Sequence, residues 1–138
     1  MSSESFSLDT SFVLRLMVSQ PLYQFRVAAR FLREQRASDR ALFVSDLVLA
    51  EAYFALQSHY QVSKTDALAI LTSFAQDSGV TVSPIARDVL ALPGLATANP
   101  GLVDRLIHGL SHSAGQTLVS FEQAAGKLPA TLVLAATP

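Results

Sequence analysis

The chain contains no cysteine. That absence excludes a disulfide scaffold, a thiolate zinc site and a cysteine nucleophile. Charge is scarce: 15% of residues are Asp, Glu, Lys or Arg, against roughly 25% in ordinary soluble domains. Ten basic and eleven acidic residues leave a formal charge of −1. No global basic field therefore announces nucleic acid, and only a local basic patch stays open. No apolar run approaches the roughly 18 residues a membrane span needs. The opening Met1-Ser2-Ser3-Glu4 lacks the basic and apolar parts of a signal peptide, so a cytoplasmic location is the default expectation.

Several signature loops are missing too. There is no G-x-x-x-x-G-K-[ST] or G-x-G-x-x-G stretch, which argues against nucleotide-cofactor folds. No G-x-S-x-G elbow supports Ser-His-Asp chemistry. Asp9 is followed by Thr10-Ser11, not by the x-Asp of a haloacid-dehalogenase-like phosphatase. The paired acids of a response-regulator receiver are absent as well.

What is present is a chain of 138 residues, half of them hydrophobic. That length predicts one domain with a sizeable core. The hydrophobicity excludes intrinsic disorder. With so little charge, apolar surface is left to hide, which points to an oligomer.

Short β-like runs alternate with longer helical patterns, the rhythm of an α/β protein with a mainly parallel sheet. Strands are expected at Ser5–Leu8, Ala41–Val44, Val80–Val82, Thr117–Ser120 and Thr131–Leu134. Helices are expected over 11–18, over 22–36 behind Pro21, and from Ser45 or Asp46 to about Tyr60. Others run from a Ser63 capping box to near Gly79, from Pro84 to the Leu92-Pro93-Gly94 break, over 102–114, and briefly over 122–127. In the 102–114 helix, Val103, Leu106, Ile107 and Leu110 form the expected inner face.

Four acids stand out by position. Asp9 follows the first strand at its carboxyl end, where ligands gather in open parallel sheets. Glu51 sits in the apolar segment 47–54, so its carboxylate is expected on the sheet side. Asp104 opens the 102–114 helix on its inner border. Glu122 follows the fourth strand. Carboxylates among core-facing residues need a partner or a cation. A hard divalent ion accepts such oxygen ligands and can promote phosphodiester hydrolysis. Each acid taken alone also reads as a cap or a solvated side chain.

The order of these pieces carries a resemblance. LDTSFVLRLM (8–17), VSDLVLAEAYFAL (44–56), VDRLIHGLS (103–111) and LVSFEQAAGKLP (118–129) together resemble the PIN-domain family, and within it the VapC-type toxin ribonucleases. The resemblance spans essentially the whole chain. It implies a single three-layer α/β domain over residues 1–138, with a central, mainly parallel sheet of four to five strands flanked by helices. It also implies an endoribonuclease dependent on Mg²⁺ or Mn²⁺. Asp9, Glu51, Asp104 and Glu122 match the family's metal-binding and catalytic acids, and Ser11 matches a position that hydrogen-bonds a metal ligand or water. Glu122 stands where the family usually has Asp, and Gly101 where many relatives carry another acid. The implied partners are an RNA substrate, an antitoxin protein and a second copy of the chain; no membrane is expected. The competing expectation is a catalytically degenerate PIN fold acting as a binding or dimerisation module.

Two other groups carry double readings. His108 and His112 sit one turn apart, the spacing of a zinc pair, or are exposed polar-face histidines. Arg26, Arg30, Arg33, Arg36 and Arg40 either contact RNA phosphates or form a solvated or protein-binding face partly paired with Glu34 and Asp39. Arg15 and Arg105 lie near candidate acids and are the stronger RNA candidates. His59 is expected to interact with a helix C-terminus.

Overall fold

The computed structural model describes residues 4–135. The protein is mixed α/β, with six α-helices and short parallel strands among these residues. The strands are β1 (Phe6–Ser7), β2 (Leu42–Phe43), β3 (Leu118–Ser120) and β4 (Thr131–Val133). The helices are α1 (Thr10–Val18), α2 (Leu22–Ala37), α3 (Asp46–Ser58), α4 (Lys64–Asp77), α5 (Pro84–Leu90) and α6 (Leu102–Ser113). Short 3₁₀ turns cover Leu95–Thr97 and Gln123–Lys127, so the brief helix expected over 122–127 is of the tighter kind.

Local chemistry explains the helix starts. Asp9, Ser45, Ser63 and Ser83 each accept a hydrogen bond from a first-turn amide of α1, α3, α4 and α5 respectively. Each of these residues satisfies an otherwise orphaned donor. Pro84 sits in the first turn of α5, where its missing N–H costs nothing. At the far ends, Gly79 and Gly115 hold positive φ, as chain reversal after a helix requires.

The sheet departs from expectation. Strands β1 and β2 pair in parallel, Phe6 opposite Leu42. The third expected strand is reduced to a single parallel bridge, Phe43 opposite Thr81. It is fixed by Val44 N–H donating to Thr81 O and Thr81 N–H donating to Leu42 O, at 3.0 and 2.7 Å. Among the described residues strands β3 and β4 pair only with each other, Val119 opposite Leu132. Among the described residues there are thus two separate two-stranded ladders and no central sheet of four to five strands.

The core explains that separation. Its continuous cluster runs in sequence from Leu8 to Leu106, and Leu42, Leu49, Leu56, Leu71 and Leu102 are essentially fully buried. Among the described residues from Thr117 onward, Ala125 alone is buried. On the second ladder, Val119 and Leu132 point the same way and are 56% and 51% exposed. Parallel sheets are normally covered on both faces; this one is bare on one.

Two polar ties hold the second ladder down. The His108 ring nitrogen Nε2 lies 2.7 Å from Pro129 O, and Lys127 Nζ donates to Asn99 O at 3.1 Å. His108 is 9% exposed and stacks on His112 with ring centroids 5.5 Å apart. The expectation of an exposed His108 is corrected: the returning chain at Pro129 covers it. The expected inner face of α6 is corrected as well. Leu102, Leu106 and His108 are buried, while Ile107 and Leu110 are about half exposed. No helix among the described residues is long and apolar enough to cross a membrane.

Candidate functional site

Asp9 stands at the carboxyl end of β1, in the turn that becomes α1. Its Oδ1 accepts the Phe12 amide at 3.0 Å and the Ser11 hydroxyl at 2.7 Å. These bonds favour the charged form, so the carboxyl sits below its ordinary range; the Phe12 amide is the largest cause and the Ser11 hydroxyl the next. Asp9 is therefore an anion at neutral pH, fixed in direction by the helix it caps.

The next residue reaches across the fold. Thr10 Oγ1 donates to Glu51 Oε1 at 2.9 Å, joining positions 41 residues apart. Glu51 does not lie among core residues, as its apolar neighbours led one to expect. The buried stripe of α3 is Leu49, Ala52, Tyr53 and Leu56. Glu51 is exposed on the other side, where Leu47 is 72% and Phe54 55% exposed. The segment is apolar almost all round, so sequence alone misplaces its inner face.

Asp104 and Glu122 share a groove of about 190 Å³ with Asn99, Ile107, Val119 and Leu128. Asp104 lies in the first turn of α6, and Glu122 begins the 3₁₀ turn after β3 without capping it. Glu122 N–H donates to Ser120 Oγ at 2.9 Å, which fixes the turn and leaves the carboxylate free of it. Both acids are exposed.

The four acids thus stand as two pairs. Asp9 and Glu51 are joined through Thr10; Asp104 and Glu122 flank one groove. Among the described residues no three His, Cys, Asp or Glu side chains are grouped to hold one metal ion. The donors are hard carboxylate oxygens, the kind Mg²⁺ and Mn²⁺ prefer, but the protein does not bring them together as a complete shell.

The cationic candidates also sort themselves. Arg15 is tied into the fold, through Nε to Gln24 Oε1 at 2.5 Å and Nη1 to Tyr60 Oη at 3.2 Å. Arg105 Nε donates to Pro100 O at 2.6 Å. Both serve as local braces. His59 is the C-cap residue of α3.

One further acid, expected from the sequence only as an alternative start of α3, is engaged across the fold. Asp46 Oδ1 accepts the Ser83 hydroxyl at 2.6 Å, while its Oδ2 is buried without a partner. The signal was available: Asp46 follows its strand as Asp9 follows the first, at the edge where parallel sheets gather ligands.

Comparison with known proteins adds no relative: no family model, no curated protein and no solved structure matches this chain.

Proposed function

We propose that the chain is a metal-dependent endoribonuclease of the PIN kind, acting on RNA with Mg²⁺ or Mn²⁺ and belonging to a toxin–antitoxin pair. In this reading two short parallel ladders stand where one central sheet was expected. The observation that carries the proposal is the Thr10–Glu51 hydrogen bond. It links the first two segments of the resemblance at the residues expected to serve one site. Asp9 supplies an oriented anion at neutral pH, Ser11 holds that carboxylate, and Thr10 aims Glu51. Asp104 and Glu122 supply the second pair of oxygens.

When bound, a divalent cation of this class supplies Lewis acidity and charge neutralisation for phosphodiester cleavage. Mg²⁺ commonly takes only one or two protein carboxylates and completes its shell with water and substrate phosphate. Acids standing in twos are compatible with that habit. The same reading carries an antitoxin and a second copy of the chain as protein partners.

A second reading is a PIN-like fold that binds or dimerises without cleaving. It is favoured by the division of the acids into pairs and by the exposed Val119, Phe121, Leu132 and Leu134.

Calorimetric titration with Mn²⁺, without RNA, separates the two. The nuclease reading expects the wild type to bind and Asp9→Asn to lose at least about tenfold in affinity. Asn preserves the helix cap, so a loss reports the charge and not unfolding. Absence of binding in both proteins removes the nuclease reading. Equal binding in both places the ion elsewhere, with the His108–His112 stack the first suspect.

A further inference from the structure

The near-neutral net charge conceals an uneven distribution. Residues 22–40 hold five arginines against Glu34 and Asp39, a net of +3, so the remainder of the chain carries −4. Arg26, Arg30 and Arg33 fall on one exposed face of α2, at intervals of four and three residues. They are about 6 and 4.5 Å apart along the helix axis. Among the described residues none of these three side chains makes a hydrogen bond or ion pair, so the expected pairing with Glu34 and Asp39 is absent. Arg36 and Arg40 do not join them. The Arg36 side chain lies over Gly79, and Arg40 donates to Gln35 Oε1 at 3.0 Å.

The flank of α2 next to that face, carrying Val27 and Phe31, borders a groove. Val27, which sits to one side of the arginine stripe and is 63% exposed, lines a groove of about 430 Å³ with Phe6, Phe12, Phe31 and Asp9. Phe6 and Phe12 both meet Phe31 edge to face, with centroids 5.3 and 5.8 Å away. Tyr23, 69% exposed, stands one turn before Val27. Free guanidiniums beside an apolar, ring-lined groove are the two components of single-strand recognition, one for phosphates and one for bases.

We propose that the exposed face of α2 is a docking surface for single-stranded RNA. Arg26, Arg30 and Arg33 take successive phosphates, and the groove beside Val27 receives a base and leads the strand to Asp9. The choice of RNA over DNA rests on the nuclease reading; the attraction for a polyanion does not. A second copy of the chain is a poor occupant, because a twofold contact here would set the arginine stripes against each other.

The test is fluorescence anisotropy of a short labelled single-stranded RNA of mixed sequence. It is run in EDTA so that neither metal nor cleavage enters. Three phosphate contacts give a logarithmic salt slope of about −2, or roughly a 20-fold loss of affinity between about 50 and 200 mM salt. Arg26→Gln/Arg30→Gln/Arg33→Gln is expected to flatten that slope and weaken low-salt binding at least about tenfold. The matching triple Lys variant keeps the slope, because the phosphate term counts charge. All three side chains are exposed, and thermal melts verify that the variants fold.

The proposal is overturned if the wild type shows no salt-dependent binding, or if the Gln variant binds like the wild type. Displacement by polyglutamate as effective as by RNA would overturn it in favour of an acidic protein partner. Equal affinity for DNA of the same sequence would overturn the choice of RNA. Binding without cleavage or Mn²⁺ uptake leaves this surface standing and removes only the nuclease reading.

Discussion

Replacing Asp9 separates two roles held by one carboxylate: capping α1 and supplying an anion to the candidate site. The cap is explicit, with the Phe12 amide and the Ser11 hydroxyl converging on Oδ1. Asp9→Ala removes both bonds and is expected to cost about 1 kcal/mol, within the 0.5–2 range of N-cap deletions. In a chain of this size that is a fall of about 4 °C in Tm. Asp9→Asn keeps an acceptor and loses only the attraction between the charge and the helix dipole, about 0.5 kcal/mol. The pH dependence has a definite sign. The folded carboxyl lies below its unfolded value, so its charge-dependent stabilisation is complete above the unfolded pKa of about 4 and is lost as pH falls through the folded one. Urea melts at neutral pH and near pH 3 should show the gap between wild type and Asp9→Ala narrowing on acidification. A gap that widens, or an Asn variant as unstable as the Ala variant, would refute the capping argument.

Two further substitutions probe the C-terminal half. His108→Ala removes a buried ring and its contact with Pro129 O, and is expected to cost about 2 kcal/mol in denaturant melts. Gly109→Ala would press a methyl group into the Ile85 side chain where α5 meets α6. Overpacking of about 1–3 kcal/mol outweighs the better helix propensity of Ala, about 1 kcal/mol. A double-mutant cycle with Ile85→Ala should recover part of the loss.

Features governed by neighbouring residues were legible in the sequence. Ser63 caps α4 and Pro84 opens α5 as their local pattern predicts. All five expected strand segments carry parallel pairing in some form. Features governed by distant residues were not. The assembly of strands into one sheet depends on which faces meet, and nothing in Leu118–Ser120 states that its partner is β4 alone. Glu51 was misplaced because Leu47 and Phe54 are apolar yet exposed, which erases the amphipathic signal of α3. His108 was misplaced because the carbonyl that meets it arrives 21 residues later. For the candidate site, the chain order named the acids and the fold decided their company: Thr10 joins Asp9 to Glu51, and a groove joins Asp104 to Glu122.

The weak attachment of the second ladder has a thermodynamic consequence for whatever occupies that groove. Residues 117–133 take almost no share in the core, so they belong to the part of the molecule able to open without global unfolding. Glu122 is carried by that part and Asp104 by α6, which is anchored in the core through Leu102 and Leu106. A ligand bridging the two carboxylates therefore acts as a clasp. By binding only the closed arrangement it stabilises the C-terminal segment against local opening. Amide exchange over Leu118–Ser120 and Thr131–Val133 should slow on binding far more than exchange at Val44 or Thr81. The groove thus couples occupancy to the closure of one end of the fold.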